Sequence, residues 1–543
     1  MRRIAFLVLL ALPALSQERV DLGIVDRIKA EAFERSHVME TLRSLSDVHG
    51  PRLTGSPEFE DAARWAMGEL TGYGVEKVHP EKWGPFGRAW SLQLSSLELT
   101  EPRYSQLTAV PLAWSASTNG PVTGELVLAP LRVSFRDGPK KSREAFKAYR
   151  EKWTGKLRGK IVLLSEPKVP APQDKPQFRR YTDSDLADMA NAPAPALKAA
   201  AKSLDELEWP EDPADLGKFF GSLSNALMDQ LYDLYDQTVA ERGEFFAKEG
   251  VAGVLQEDQR AHEGLLFAEA AGGFKAAGAT APPTFVVTAE QYNRIARLVD
   301  KKSPVRVRVN LKAATSDADV DGMNIVGEIT GGARKDEIVM VGAHFDSWAS
   351  GTGATDNGAG SAVMIEVMRI LKALDLKLDR TVRIGLWSGE EEGLFGSRAY
   401  VKEHFADPKT MQVTAEHAKL SGYFNLDNGG GKIRGVYLQG HEAMRPIFES
   451  WLAPFRDMGV TTISIRNTGG TDHLSFAAVG LPGFQFIQDP LDYGTITHHS
   501  DMDTWDHAIP EDLMQASAVI ATVVYEAATR NDMLPRRELP KPE

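Results

Sequence analysis

Two short runs, residues 337–343 and 381–387, constrain the fold of this chain most. Both are rich in β-formers and almost wholly apolar, and the apolar helical stretch 360–374 lies between them. A strand that is apolar on successive residues has both faces covered, and strands alternating with helices pack as a sheet between helical layers. Residues 423–426 and 483–487 read as further strands of this kind. The expected fold class is therefore α/β, a mostly parallel or mixed central sheet flanked by helices. Ligands of such sheets gather beyond the carboxyl ends of the strands.

The rest of the chain reads differently. Residues 21–46 are predicted to be helical, 50–57 form a turn cluster, 58–70 a helix and 90–99 a strand. From about 110 to 311 short β-like runs recur at 124–127, 160–164, 251–255, 284–287 and 305–309. In the last of these, Arg306 and Arg308 alternate with Val305, Val307 and Val309, the pattern of a half-exposed strand. Residues 166–248 are polar and then helical. No histidine–acid cluster with ligand spacing occurs in this block, and none of its residues receives a chemical role. The expected organisation is 1–16 signal peptide, 17–110 first part of a catalytic domain, 111–315 an inserted β-rich domain with a helical excursion, 316–530 the main catalytic part and 531–543 a tail.

Arg2 and Arg3, the apolar residues 4–12 and the small residues before Gln17 have the form of a cleaved export signal. That run is shorter than the roughly 20 residues a membrane span takes, so no stable span is expected and the protein is placed as secreted or periplasmic. The chain has no cysteine, which excludes disulfides, thiolate metal sites and a cysteine nucleophile. Its net charge of -13 repels phosphate backbones and anionic lipid, so no nucleic-acid partner is expected. Ser388 lacks the Gly-x-Ser-x-Gly setting of a serine hydrolase, and the glycine run 427–431 lacks the ending of a phosphate loop.

Five candidates for metal ligation stand just beyond the expected strands or in adjoining loops: His344, Asp356, Glu391, Asp427 and His499. Carboxylates with neutral imidazoles suit a zinc-like divalent ion where thiolates are missing. On an extended segment His344 and Asp346 project to one side, so Asp346 can hold the second ring nitrogen of His344. The glycine-rich loop 351–360 brings Asp356 to the start of a helix, where one carboxylate can lie between two cations. Among Glu390, Glu391 and Glu392, one acid can ligate while its neighbour accepts a proton from water.

With these motifs, His344-Phe345-Asp346, Thr355-Asp356-Asn357-Gly358-Ala359-Gly360, Glu390-Glu391-Glu392-Gly393-Leu394, Asn425-Leu426-Asp427 and His499-Ser500-Asp501-Met502-Asp503-Thr504, the chain resembles the M28 metallopeptidases. The resemblance covers about 20–110 and 320–530, and the block between looks like a protease-associated insertion. It implies two Zn2+ ions, one served by His344, Asp356 and Asp427 and the other by Asp356, Glu391 and His499. It further implies Glu390 as general base, Asp346 orienting His344, and His498 donating to the oxyanion. The expected activity is that of an aminopeptidase acting on peptides. A carboxypeptidase or dipeptidase of the same fold is the alternative, with Arg466 as a candidate grip on a terminal carboxylate. A single-metal glutaminyl cyclase and a catalytically inactive peptide-binding or receptor-like protein are further alternatives. Tyr493 is a candidate wall residue, and the pair Asp472-His473 reads as structural. Oligomeric state is left open.

Overall fold

Fourteen strands join into one mixed sheet in the computed structural model, which describes residues 18–131, 138–170, 172–195, 201, 203–210, 219 and 223–542. The expected signal segment lies outside the described residues. In chain order the strands are β1 (Glu76–Glu101), β2 (Ser105–Gln106), β3 (Ala109–Pro111), β4 (Val122–Leu128), β5 (Ile161–Leu163), β6 (Gly253–Gln256) and β7 (Thr284–Val287). They continue as β8 (Arg306–Ile329), β9 (Arg334–His344), β10 (Arg380–Trp387), β11 (Leu420–Asn425), β12 (Ile433–Tyr437), β13 (Thr462–Ser464) and β14 (Gly483–Gln488). Across the sheet the order is β13-β12-β14-β11-β9-β10-β8-β4-β5-β6-β7-β3, with β1 laid antiparallel along β8 and β2 on β1.

The part of the sheet around β9, β10 and β11 is built as the apolar runs dictate. β9 pairs parallel with β10 and β11, and β11 parallel with β14. Along β9 the side chains alternate between two covered faces. Val339, Val341 and Ala343 pack with helices Leu22–Glu34, Val38–Arg43, Pro57–Gly72, Ala359–Ala373 and Pro510–Thr529, while Ile338 and Met340 pack with Tyr400 and Phe476 of helices Phe395–His404 and His473–Ala478. From Ile338 to His344 every position is buried, which is why this stretch lacks polar alternation. The helix expected over 21–46 is divided. Leu22–Glu34, started by the Asp21 side chain accepting from the Ile24 N–H, is followed by Val38–Arg43 after a break.

The block expected as an insertion, 111–315, joins the same sheet through β8. The first residues of β8 pair with β4 (Val309 with Val122, Arg306 with Glu125), and its last residues pair with β10 (Ile325 with Leu386, Ile329 with Val382). The expected boundary at 315/316 therefore falls inside one strand. β4 to β7 run parallel and carry their own apolar clusters, with Ile161, Leu163, Leu255 and Phe285 in one and Phe146, Tyr149, Val162 and Val254 in another. Val307 and Val309 are buried and Arg306 and Arg308 exposed, as the alternation predicts.

Candidate metal centre

Because β9, β10 and β11 are parallel, their carboxyl ends lie along one edge of the sheet. His344 ends β9, Glu390 and Glu391 follow β10, and Asp427 follows β11. Asp356 comes from the turn before helix Ala359–Ala373. It is not yet helical (φ -128°, ψ 91°), which turns its carboxylate out of the helix line and towards the strand ends. The His344 Nε2 lies 3.2 Å from Asp356 Oδ1, 3.3 Å from Asp427 Oδ1 and 3.9 Å from Glu390 Oε2. The His499 Nε2 lies 3.4 Å from Asp356 Oδ2 and 3.1 Å from Glu391 Oε2. The two oxygens of Asp356 thus face different histidines.

His498 reaches the same carboxylate from the mouth of the site, its Nε2 3.8 Å from Asp356 Oδ2 and its ring 4.8 Å from that of Tyr493. Three overlapping groups have ligand atoms close enough to share an ion: His344, Glu390 and Asp427; His344, Asp356 and Glu391; Asp356, His498 and His499. Glu390 and His498 thus come near enough to ligate as well as to serve the base and donor roles expected of them. The structure also refines the part of Asp346. The Nδ1 of His344 is 3.1 Å from the Asp346 carbonyl oxygen and 3.5 Å from its carboxylate, so the backbone oxygen is the nearer acceptor.

The donor set fits divalent cations on two physical grounds. His344 Nε2, Asp356 Oδ2 and Glu391 Oε1 are enclosed without a hydrogen-bond partner among the described residues, a costly condition unless something else satisfies them. Negative charge is also in excess. Burial and the Asp356 carboxylate push Glu391 up to about 8, burial pushes Glu390 and Glu392 well above the carboxylate range, and burial beside Asp356 takes Asp503 to about 7. A positive ion placed among these acids offsets both burial and mutual repulsion.

The family model for peptidase family M28 matches residues 324–524, the span that supplies all of these side chains. Over that span the chain is similar to the M28 peptidases. It is 26% identical to carboxypeptidase Q of Mus musculus over 519 residues, 95% of this chain and 90% of that one. Its fold is shared with a peptidase M28 precursor from Shewanella amazonensis SB2B (TM-score 0.63, 22% identity, 96% of this chain and 98% of that one). It is shared also with BSAP, a zinc aminopeptidase from Bacillus subtilis (TM-score 0.54, 19% identity, 91% and 95%).

Several side chains around the centre escape a reading of the sequence. Asp503 accepts from the Thr355 and Asp356 N–H groups at 2.6 and 3.2 Å, fixing the backbone that carries Asp356. Thr54 donates to Asp346 Oδ2 and accepts from the Gly389 N–H, tying the two loops that flank the site. From the 111–315 block, to which the sequence assigns no chemical part, Glu269 Oε1 lies 2.7 Å from His499 Nδ1; that expectation is corrected. Burial favours neutral Glu269, but His499, Arg260 and Tyr235 hold its pKa at about 2, so it is a carboxylate.

Arg52, fully buried in the turn cluster 50–57, donates to the carbonyls of Phe345, Leu45, Thr352 and Gly353. It pins the loop between His344 and Asp356 and sets a fixed cation behind the acids. Replacing Arg52 with Met fills the volume but leaves those carbonyls unpaired, so a loss of about 3 to 5 kcal/mol in stability is expected. Denaturant unfolding of the purified variant measures it, and an unchanged midpoint would contradict this role.

Proposed function

We propose that this peptidase is a dinuclear zinc exopeptidase, an aminopeptidase that releases N-terminal residues from peptides outside the cytoplasm. The observation that carries the reading is the Asp356 carboxylate, with Oδ1 turned to His344 and Oδ2 to His499. His344, Asp356 and Asp427 would hold one ion, and Asp356, Glu391 and His499 the other. Bound zinc supplies Lewis acidity, polarising the scissile carbonyl and acidifying water. Glu390 takes the proton of the attacking water and delivers it to the leaving amine, since it stands beside the ligands and is enclosed from bulk solvent. His498, at the mouth, donates from Nε2 to the oxyanion as it develops. A dinuclear centre can also receive a free α-amine, which puts the aminopeptidase reading first. We read 111–315 as the protease-associated-like insertion and 1–16 as the export signal. Among the described residues no helix is long and apolar enough to cross a membrane.

The second reading, a carboxypeptidase or dipeptidase, is favoured by the near full-length similarity to carboxypeptidase Q. It needs a cation at the substrate's carboxyl end. Arg466 is exposed and donates to the Asp188 carbonyl at 3.2 Å, away from the ligand cluster. Arg260 is closer but engaged with Asp258 at 3.0 Å. Cleavage of free, N-acetylated and C-amidated forms of one peptide, followed by mass spectrometry, separates the readings. The aminopeptidase loses at least about 100-fold in kcat/KM on acetylation and tolerates amidation. The reverse pattern supports the carboxypeptidase.

A further inference from the structure

We propose that the inserted segment completes the metal centre: Glu269 is a positioning residue that makes His499 a ligand, so the ion held by Asp356, Glu391 and His499 depends on docking of the insertion. The inference rests on the two-ion reading above.

An imidazole that ligates through Nε2 must carry its proton on Nδ1, and an acceptor opposite that proton fixes both tautomer and ring orientation. His344 finds its acceptor locally, on Asp346 two residues along the same segment. His499 has no such local partner. Its Nε2 faces Asp356 and Glu391, and its Nδ1 points to a carboxylate 230 residues earlier in the chain, Glu269 Oε1 at 2.7 Å. The other Glu269 oxygen accepts from the Tyr235 hydroxyl at 3.0 Å, and Arg260 stands 3.7 Å from the first. The insertion thus presents an anion already oriented by its own residues.

The backbone contacts point the same way. Ala268 donates its N–H to the His499 carbonyl at 3.0 Å, Asp501 donates to the Leu266 carbonyl at 3.0 Å, and the Leu266 N–H returns to Asp501 Oδ1 at 3.0 Å. These bonds bracket His499, whose φ of 63° lies in the left-handed region that a residue with a side chain adopts at a cost. A segment of the insertion therefore holds both the backbone and the ring of one ligand. Removing the carboxylate leaves the ring free to flip its proton and rotate, and the affected ion loses affinity while its partner keeps its own set.

The test uses the full chain and zinc itself, titrated against a chromophoric chelator with metal content read by mass spectrometry. Glu269→Ala is expected to weaken one zinc site by about 10- to 100-fold and leave the other unchanged. Glu269→Gln keeps an acceptor opposite Nδ1 and is expected to recover most of that loss. Tyr235→Phe, which removes only the hydroxyl that orients Glu269, is expected to fall between wild type and Glu269→Ala. Thermal unfolding of the metal-free proteins should leave wild type and Glu269→Gln together. Unchanged zinc affinity in Glu269→Ala overturns the proposal. So does equal weakening of both sites, or an equal loss in the Gln variant with a lowered metal-free midpoint, since each marks a purely structural role. Wild-type stoichiometry decides the two-ion reading separately. If wild type holds a single ion, that reading fails, and the ratio of affinities between Glu269→Ala and wild type still decides the part of Glu269.

Discussion

Glu390→Gln is expected to lower kcat by about 10²- to 10⁴-fold with zinc content unchanged. The substitution keeps the shape and hydrogen-bonding reach of the side chain and removes only its capacity to take a proton. The tight turn that presents Glu390 stays intact, because it is built from backbone bonds. Gly393 and Leu394 donate to the Glu390 carbonyl, Phe395 donates to Gly389, and Gly389 is held by Thr54. KM should change little, since Glu390 acts on the attacking water and the leaving amine. Steady-state kinetics with parallel metal analysis reads both quantities. The outcome also separates two roles the geometry permits, because Glu390 lies in ligand range with His344 and Asp427. Loss of an ion in the Gln variant would make Glu390 a ligand, and wild-type turnover would remove it from the reaction.

Asp356→Ala is expected to have the larger effect on metal. The side chain is enclosed, and each of its oxygens faces a different histidine, so its loss strips both positions at once. Zinc affinity should fall by more than about 100-fold at both positions, beyond what loss of an outer-shell partner causes. Activity should fall to the background of the uncatalysed reaction within the assay. Asp427→Ala gives the contrast, since of the two histidines that face Asp356 it approaches His344 and should weaken one position alone. Equal, partial losses in the two variants would mean that Asp356 serves one ion and does not bridge.

How much of this was legible in the sequence follows from where each residue gets its position. His344, Asp427 and the Glu390–Glu391 pair stand directly after apolar runs that could only be covered strands, so their meeting at one sheet edge follows from parallel pairing. Asp356 was legible as an acid beside a helix, but its placement depends on Asp503, whose carboxylate holds the backbone ahead of that helix. Arg52 and Thr54 read as part of a turn cluster, because most of their partners are carbonyls and loop atoms hundreds of residues away, which leave no local pattern. Glu269 was missed for the same reason. It sits in a loop without ligand spacing, and its approach to His499 is a tertiary contact, made by the Leu266 and Ala268 backbone against His499 and Asp501. The expected boundary inside β8 has a similar origin, since a change of texture along one long strand reads as a change of domain.

The central claim is that two zinc ions share the Asp356 carboxylate, and diffraction from zinc-replete crystals on either side of the zinc absorption edge tests it most directly. Two anomalous peaks about 3.5–4 Å apart are expected. One should lie against His344 and Asp427, the other against Glu391 and His499, with an oxygen of Asp356 on each. A single peak, or two peaks of which one does not touch Asp356, would contradict it.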